Sequence, residues 1–442
     1  MEKKTVNFGF RGWMLILYQA IAFVTYHVFT NYPLNILADF YGGAQRLSAV
    51  YSACAIIGVI AQLALANVIA KMKSVKVFGT VLGLITLVLG FGIMTIPFRS
   101  ANIWLVCYAL ENVIAVLYAT FSIGILVGQW FPRRKGTIMG IATFAFPLAN
   151  GLIGPFAARV FLHGKPDVFG AFLPFFIVFI IGWLIGLIFI RDYPEQCGAF
   201  RDNDRTMTPE AAKQMMMQEI ENKKTTVWTL GHTLRCRDFW LITIPVGLLL
   251  MFSIGMMTQS AAIIGHYRDQ LNFVGGYTGV MLLIMIFGCI GSFVLGVLDT
   301  KFGTKKAIII SLLFMILAGV LGCIPHAVTL LFAMICLAVF MGASSNFGVS
   351  MAAQYWRRED FSSVFATASP IGNIICSSGP VVIARLMYSR LGYQSIFMAT
   401  IAAGVIGMIC ILAFRPIHVK EVDDRYRRNA GKVLDDVLVG RE

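Results

Sequence analysis

Residues 147–155 read Pro-Leu-Ala-Asn-Gly-Leu-Ile-Gly-Pro, and residues 370–380 read Pro-Ile-Gly-Asn-Ile-Ile-Cys-Ser-Ser-Gly-Pro. Pro147, Asn150 and the pair Gly154-Pro155 thus return as Pro370, Asn373 and Gly379-Pro380. A basic cluster precedes each copy: Trp130-Phe-Pro-Arg133-Arg134-Lys135-Gly before the first, and Tyr355-Trp356-Arg357-Arg358-Glu-Asp360 before the second. The repeat therefore covers a loop and the helix after it, and a chain with this spacing is a duplicated half.

The solvent follows from composition. With 58% hydrophobic and only 13% charged residues, the chain cannot cover itself with a water-facing surface, and it reads as a polytopic membrane protein. The polar stretch Met1–Arg11 runs straight into an apolar segment longer than a signal-peptide core, with no small-residue cleavage site, so the first helix is expected to be kept. Nine cysteines lie scattered without a Cys-x-x-Cys pair, and they suggest neither a disulfide framework nor a metal site.

Apolar stretches of about 20 residues, the length needed to cross a hydrocarbon core about 30 Å thick, can be laid end to end along the chain. They place spans at 13–36, 47–70, 77–97, 102–129, 137–160, 171–190, 239–263, 275–298, 307–324, 328–353, 362–385 and 394–414. The expected fold is an all-α membrane protein with twelve transmembrane helices in two six-helix repeats. Its units are residues 1–190, a linker 191–238, a second half 239–415 and a tail 416–442.

An even number of spans puts both termini on one side, and the Lys and Arg bias says which. Of the 36 Lys and Arg residues, all but Arg46, Arg99, Arg159, Lys165, Arg268, Arg385 and Arg390 fall in the termini, the linker and the loops on the same side. Both termini are therefore expected in the cytoplasm, and the chain in the inner membrane. The net charge of +14 follows from that topology, with some attraction to anionic lipid. Cations dispersed among loops argue against a nucleic-acid partner. In the linker, Thr208, Pro209 and Glu210 open a helix expected to run to Asn222, where Thr208 can cap and Pro209 suits the first helical position.

At this point the residues carry a resemblance. The stretch Gly296-Val-Leu-Asp299-Thr-Lys301-Phe-Gly303-Thr-Lys305-Lys306 is similar to the Gly-x-Leu-x-Asp-Arg-x-Gly-Arg-Lys signature of the major facilitator superfamily, with the acid one place early. The likeness covers essentially the whole chain and implies a secondary transporter built from two parallel repeats. It also implies a charge-relay gate at Asp299, Lys301, Gly303 and Lys305, with Arg133, Arg134, Arg357 and Arg358 on neighbouring loops. The first-half equivalent, Asn67 to Lys76, lacks the glycines and the acid.

Three shorter passages most resemble the bacterial oxalate/formate-antiporter and monocarboxylate-carrier-like branch. They are Trp130-Phe-Pro-Arg-Arg-Lys-Gly, Asp192-Tyr-Pro-Glu-Gln-Cys-Gly198 and Leu234-Arg-Cys-Arg-Asp-Phe-Trp240. That branch implies small organic acids as cargo. Its oxalate-type members place basic residues on spans 8 and 11, whereas here span 8 has no charge between Gly275 and Asp299 and span 11 has only the peripheral Arg385. A monovalent acid accompanied by a proton is the expected cargo, with neutral or cationic compounds open.

Charge inside a bilayer is costly and tends to mark a pathway. Glu111 alone among the acidic and basic residues falls well inside a span, roughly 14 Å from its outer end. Tyr108, Asn112, Ala115, Tyr118 and Ser122 recur beside it at helical spacing. Glu111 reads either as a proton carrier, since the charged form of a desolvated carboxyl is the costly one, or as a structural carboxyl bonded to another helix. His27 has the same two readings, as a second proton-coupling group or as an interhelical hydrogen bond.

Tyr108 and Asn112 beside Glu111 are candidates to contact substrate, as are Tyr26, Asn31, Gln259, Ser345 and Asn346 and the repeat-related Asn150 and Asn373. The two asparagines serve equally as structural partners for proline-loosened backbone. Arg159 and Arg385 sit at outer helix ends, as snorkelling anchors or as anion-attracting groups. Where the halves are aligned, Glu111 falls against Leu337 and His27 against Ile254, so the transport chemistry is expected where the repeats disagree.

The expectation is a proton-coupled carrier of a small or amphipathic organic acid, with efflux of a neutral or cationic compound, or organic-anion exchange, as alternatives. A non-transporting membrane receptor is the alternative from another class. No nucleophile-base constellation marks an enzyme. The expected partners are a small organic substrate, a proton and membrane lipid, with no cofactor or metal, and the chain is expected to act as a monomer.

Overall fold

The computed structural model describes residues 8–71, 74–118, 125–131, 138, 141, 143–145, 147–149, 151–152, 167–204, 206, 208–222, 226–324, 326–357 and 360–431. Side chains at 26–27, 35, 66–71, 125, 218–222 and 362 fall outside the described set as well.

In chain order the helices of the first half are α1 (Gly9–Ile36), α2 (Gly43–Lys71), α3 (Val75–Thr95), α4 (Ala101–Tyr118), α5 (Ile125–Trp130) and α6 (Val168–Phe189). Helices α7 (Pro209–Asn222) and α8 (Leu230–Arg235) lie in the connecting segment. The second half holds α9 (Arg237–Thr258), α10 (Ser260–His266), α11 (Arg268–Leu271), α12 (Gly276–Phe302), α13 (Thr304–Gly322), α14 (Ala327–Tyr355), α15 (Phe361–Ser377), α16 (Gly379–Met387) and α17 (Gln394–Ala413). It is followed by α18 (Pro416–Asn429).

Eleven stretches among the described residues are long and apolar enough to cross a membrane. They match the predicted spans except the fifth, 137–160, most of which lies outside the described residues. Two predicted spans are broken where the sequence changes character. The seventh ends at Thr258, with Gln259 at the break before α10, and the eleventh pauses at Ser378 before the Gly379-Pro380 pair. Proline at the start of α16 supplies no amide to the preceding turn, so the interruption falls there. One boundary corrects the sequence reading: Asp299, placed in the loop between spans 8 and 9, belongs to the last turn of α12. The stop comes at Gly303, whose φ of 90° lies in the left-handed region that favours glycine.

In the first half α1 packs on α6, and α4 packs on α2 and α3. In the second, α14 packs on α12 and α13, and α9 on α15 and α17. Large apolar side chains such as Val88, Val106, Ile188, Phe293, Ile409 and Leu412 point outward, as lipid-facing positions require. The described ends and the segment joining the halves share one face of the bundle, called the termini face below. Segments 37–42, 259–275 and 388–393 form the far face.

Among the described residues the halves meet in several places, including α1 against α9 and α10. Helices α15 and α16 lie against α2. On the other side, the described residues between 143 and 151 lie against α12: Thr143 Oγ1 is 3.4 Å from Ser292 Oγ, and Pro147 seats against Gly288. A Cβ at Gly288 would come within 2.4 Å of the Pro147 ring. The repeated proline therefore serves close approach between the halves, in the manner of small-residue contacts between membrane helices. Its partner motif works within one half, where a Cβ at Gly379 would come within 2.2 Å of the Met251 carbonyl oxygen of α9.

Candidate functional site

A column of three rings fixes α4. Tyr41 stacks on Trp104 with centroids 3.9 Å apart and planes 14° apart, and Trp104 stacks on Tyr108 at 5.2 Å and 8°. Two of the three have their polar atoms engaged: Trp104 Nε1 donates to the Ile93 carbonyl of α3 at 3.1 Å, and the Tyr108 hydroxyl donates to the Thr30 carbonyl of α1 at 2.8 Å. All three rings are buried. Tyr108, expected to contact substrate, is thus a tie between α4 and α1.

Glu111 lies just beyond this column toward the termini face, fully buried. The Thr86 hydroxyl faces it from α3, and Tyr118 lies within electrostatic reach two turns along α4. No hydrogen bond of ordinary length closes on either carboxylate oxygen or on the Thr86 hydroxyl among the described residues. A buried carboxylate without donors is expensive as an anion and cheap as a neutral acid. Glu111 faces α3, inside the first half, and not the seam between the halves.

Asn112, the next residue, donates to the Tyr108 carbonyl at 2.7 Å, while its side-chain oxygen has no partner among the described residues. Asn31 is buried one helix away and accepts from Thr30 Oγ1 at 3.4 Å. Tyr26 and His27 belong to α1, with side chains outside the described residues. Gln259 donates from Nε2 to Ser48 Oγ of α2 at 2.7 Å, both side chains buried, so it bridges the halves at the far face. Ser345 donates to its own helix at Gly342, and Asn346 is buried on the same helix, α14. Asn373 is half-buried on α15, and Arg385 is exposed near the far face. Asn150, Arg159, Arg133, Arg134 and Arg358 lie outside the described residues.

The gate residues divide into two groups. Asp299 accepts from Thr304 Oγ1 at 2.6 Å, Lys301 is exposed, and Lys305 Nζ donates to the Phe414 carbonyl at 2.8 Å. Arg357 takes part in a buried network that the sequence reading missed. Its Nε donates to Asp423 of α18 at 2.8 Å, and Arg427 spans Asp423 at 3.0 Å and Asp360 at 2.5 Å. The connecting segment joins in, with Trp228 Nε1 donating to Asp423 at 2.8 Å and Thr226 Oγ1 to Asp360 at 2.5 Å. The sequence signal was the acid-base spacing of Asp423 and Arg427 behind Pro416, which reads as a helix with one charged face.

The first half has an answering arrangement. Asp192, beyond α6, accepts from Ser74 Oγ and from the Lys76 amide, and Lys76 Nζ donates to the Leu187 carbonyl at 2.8 Å. The acid missing from the Asn67–Lys76 loop is supplied from the other end of the half.

Comparisons with known proteins agree with this architecture. The sequence profile described as the Major Facilitator Superfamily matches residues 14–298 and 248–435. The fold is similar to that of the human organic anion transporter MFSD10 (TETRAN), with a TM-score of 0.62 and 16% identity over 90% of this chain and 97% of that one. It is also similar to the proton:xylose symporter XylE, solved with 6-bromo-6-deoxy-D-glucose, with a TM-score of 0.64 and 13% identity over 90% of this chain and 94% of that one. No curated protein sequence matches significantly.

Proposed function

The chain belongs to the major facilitator superfamily of membrane transporters, with twelve transmembrane helices in two repeats, and from that premise we propose a proton-coupled carrier of a small or amphipathic organic acid working by alternating access. The observation that carries this reading is Glu111: a fully buried carboxyl in a membrane span whose two oxygens have no hydrogen-bond partner among the described residues. A structural carboxyl would be satisfied, whereas a group that must load and release a proton gains from having its charged form unsupported. The same fold serves an organic anion transporter in human MFSD10 and proton:xylose symport in XylE, so both parts of the reading lie within its reach.

The cargo class follows from charge. Among the described residues the buried arginines are Arg201 and Arg427, both outside the spans, and no buried lysine is present. With no fixed cation in the described interior, a dianion would lack a counter-charge, whereas a monovalent acid entering with a proton travels as a neutral pair. Asn31, Asn112, Asn346 and Asn373, three of them buried and the last half-buried, are assigned to the acid as neutral hydrogen-bonding groups. Residues Asp299, Lys305 and Arg357 act as the gate at the termini face, which the charge bias assigns to the cytoplasm of the inner membrane.

A thermal-shift screen of purified protein against monocarboxylic acids, dicarboxylic acids and amines identifies the cargo class. In proteoliposomes, an inward proton gradient drives accumulation of the selected acid, and Glu111→Gln abolishes the dependence on the gradient. Expulsion of an amine against the same gradient would assign the chain to proton-driven efflux instead. Acid exchange that ignores the gradient would assign it to anion exchange.

A further inference from the structure

Above Glu111, toward the far face, the Tyr41–Trp104–Tyr108 column is a stack of buried rings in which Trp104 and Tyr108, the two nearest the carboxyl, have their polar atoms committed. Below it the character changes. Helix α3 presents Thr86, Gly83, Thr80 and Lys76 at helical spacing, a file that descends from the level of Glu111 to the termini face. Thr86 faces the carboxyl. One turn lower, Gly83 makes room for two rings: a Cβ there would lie 2.8 Å from Trp183 and 3.5 Å from Tyr118. The Tyr118 hydroxyl donates to the Tyr18 hydroxyl at 3.0 Å, both side chains buried. Tyr18 lies against Gly186, where a Cβ would meet its ring at 2.7 Å.

Tyr18 also lines a small cavity with Lys76, Thr80, Trp183 and Ile190, large enough for about one water. Trp183 Nε1 is held on the Thr80 carbonyl at 2.9 Å, and Lys76 stands half-buried at the mouth. A hydroxyl pair and a small cavity thus lie between the level of the carboxyl and the termini face, while stacked rings fill the other direction.

We propose that the Tyr118–Tyr18 hydroxyl pair and the cavity under Lys76 form the route by which the Glu111 proton exchanges with the termini face. The inference rests on the reading of Glu111 as a proton carrier. On release, the Glu111 and Tyr118 side chains first close to hydrogen-bond distance; the carboxyl O–H bond then breaks and its proton passes to the Tyr118 oxygen as Tyr118 gives its own proton to Tyr18. Tyr18 in turn gives its own to water in the cavity. Both tyrosines end neutral, one proton has moved, and the negative charge stays on the carboxylate. Among the described residues, the titratable and charged groups facing the file are Tyr18 from α1, Cys54 from α2 beside Tyr108, Lys76 from α3 with Arg191 and Asp192 beyond it, and Tyr108 and Tyr118 from α4. His27 belongs to α1, its side chain outside the described residues.

The test needs no substrate, only the proton. Full-length protein in proteoliposomes is given a pH step on the termini side, and the carboxyl C=O infrared band that disappears in Glu111→Gln is followed in time. In Tyr118→Phe and Tyr18→Phe the band is expected to change about tenfold or more slowly, with the same titration midpoint. A merely structural pair of rings would shift the midpoint or the melting temperature without slowing the exchange. Gly186→Ala, which displaces the Tyr18 ring and leaves every hydroxyl in place, is expected to slow it as well and serves if a phenylalanine variant does not fold. Unchanged rates in these variants would overturn the route. The absence of any titrating band removed by Glu111→Gln would instead overturn the proton-carrier reading itself.

Discussion

At Gln259 a single amide joins the two halves. Its Nε2 donates to Ser48 at the point where α9 gives way to α10, and both partners are buried. Gln259→Leu leaves the Ser48 hydroxyl buried without that donor, at a cost of about 1–3 kcal/mol to the state in which the far face is closed. Alkylation of a cysteine placed at Ser260, on the same face, is expected to speed up about tenfold, because 1.4 kcal/mol is a factor of ten in the open population. An unchanged rate would show that the amide does not hold the face shut. Glu111 was legible in the sequence as the one charge inside a span. Its orientation was not, because helical spacing fixes the face a residue occupies but not which neighbour covers that face. Tyr108 and Gln259 show the same limit: a polar residue in a span reads as a cavity lining until a carbonyl or hydroxyl on another helix claims it.

Between elements, the tail helix α18 and the connecting segment close on the loop between α14 and α15. Asp423 receives Arg357, Arg427 and Trp228 at 2.8, 3.0 and 2.8 Å. Asp423→Ala strands buried donors and is expected to destabilise the second half by about 3–5 kcal/mol, seen as a fall in melting temperature in detergent. Trp228→Phe keeps the T-shaped ring contacts with Trp356 and Tyr426 and loses one hydrogen bond, about 1 kcal/mol. Equal losses for the two variants would mean that ring packing, and not charge, holds the contact. At the other seam, Gly288→Ala forces a methyl against Pro147 and costs about 1–3 kcal/mol at the interface of the halves. Proteoliposome turnover is expected to fall while melting of the separate halves changes little. The repeat marked this proline in advance. That it serves contact between halves in the first copy, whereas Gly379 serves contact within a half in the second, depends on which helix lies opposite.

For the whole molecule, the charge bias makes a statement about sidedness that the packing of the helices does not contain. Reporter fusions after residue 431 and within 204–208 are expected to show cytoplasmic activity, and an insertion at 272–275 the opposite. A far-face signal from either of the first two would reverse the orientation and with it the side to which the Glu111 route leads. The sequence by itself determined the membrane, the two halves and the positions of the spans, because hydrophobic length and charge bias are properties of consecutive residues and the bilayer reads them locally. The tertiary structure alone decided what each polar side chain is for: Asp192 completing a loop that had lost its acid, Asp423 clasping a loop 66 residues away, and two tyrosines 100 residues apart meeting below Glu111. The physical reason is that a buried polar group takes its meaning from the partner that satisfies it, and in this fold those partners come from other helices.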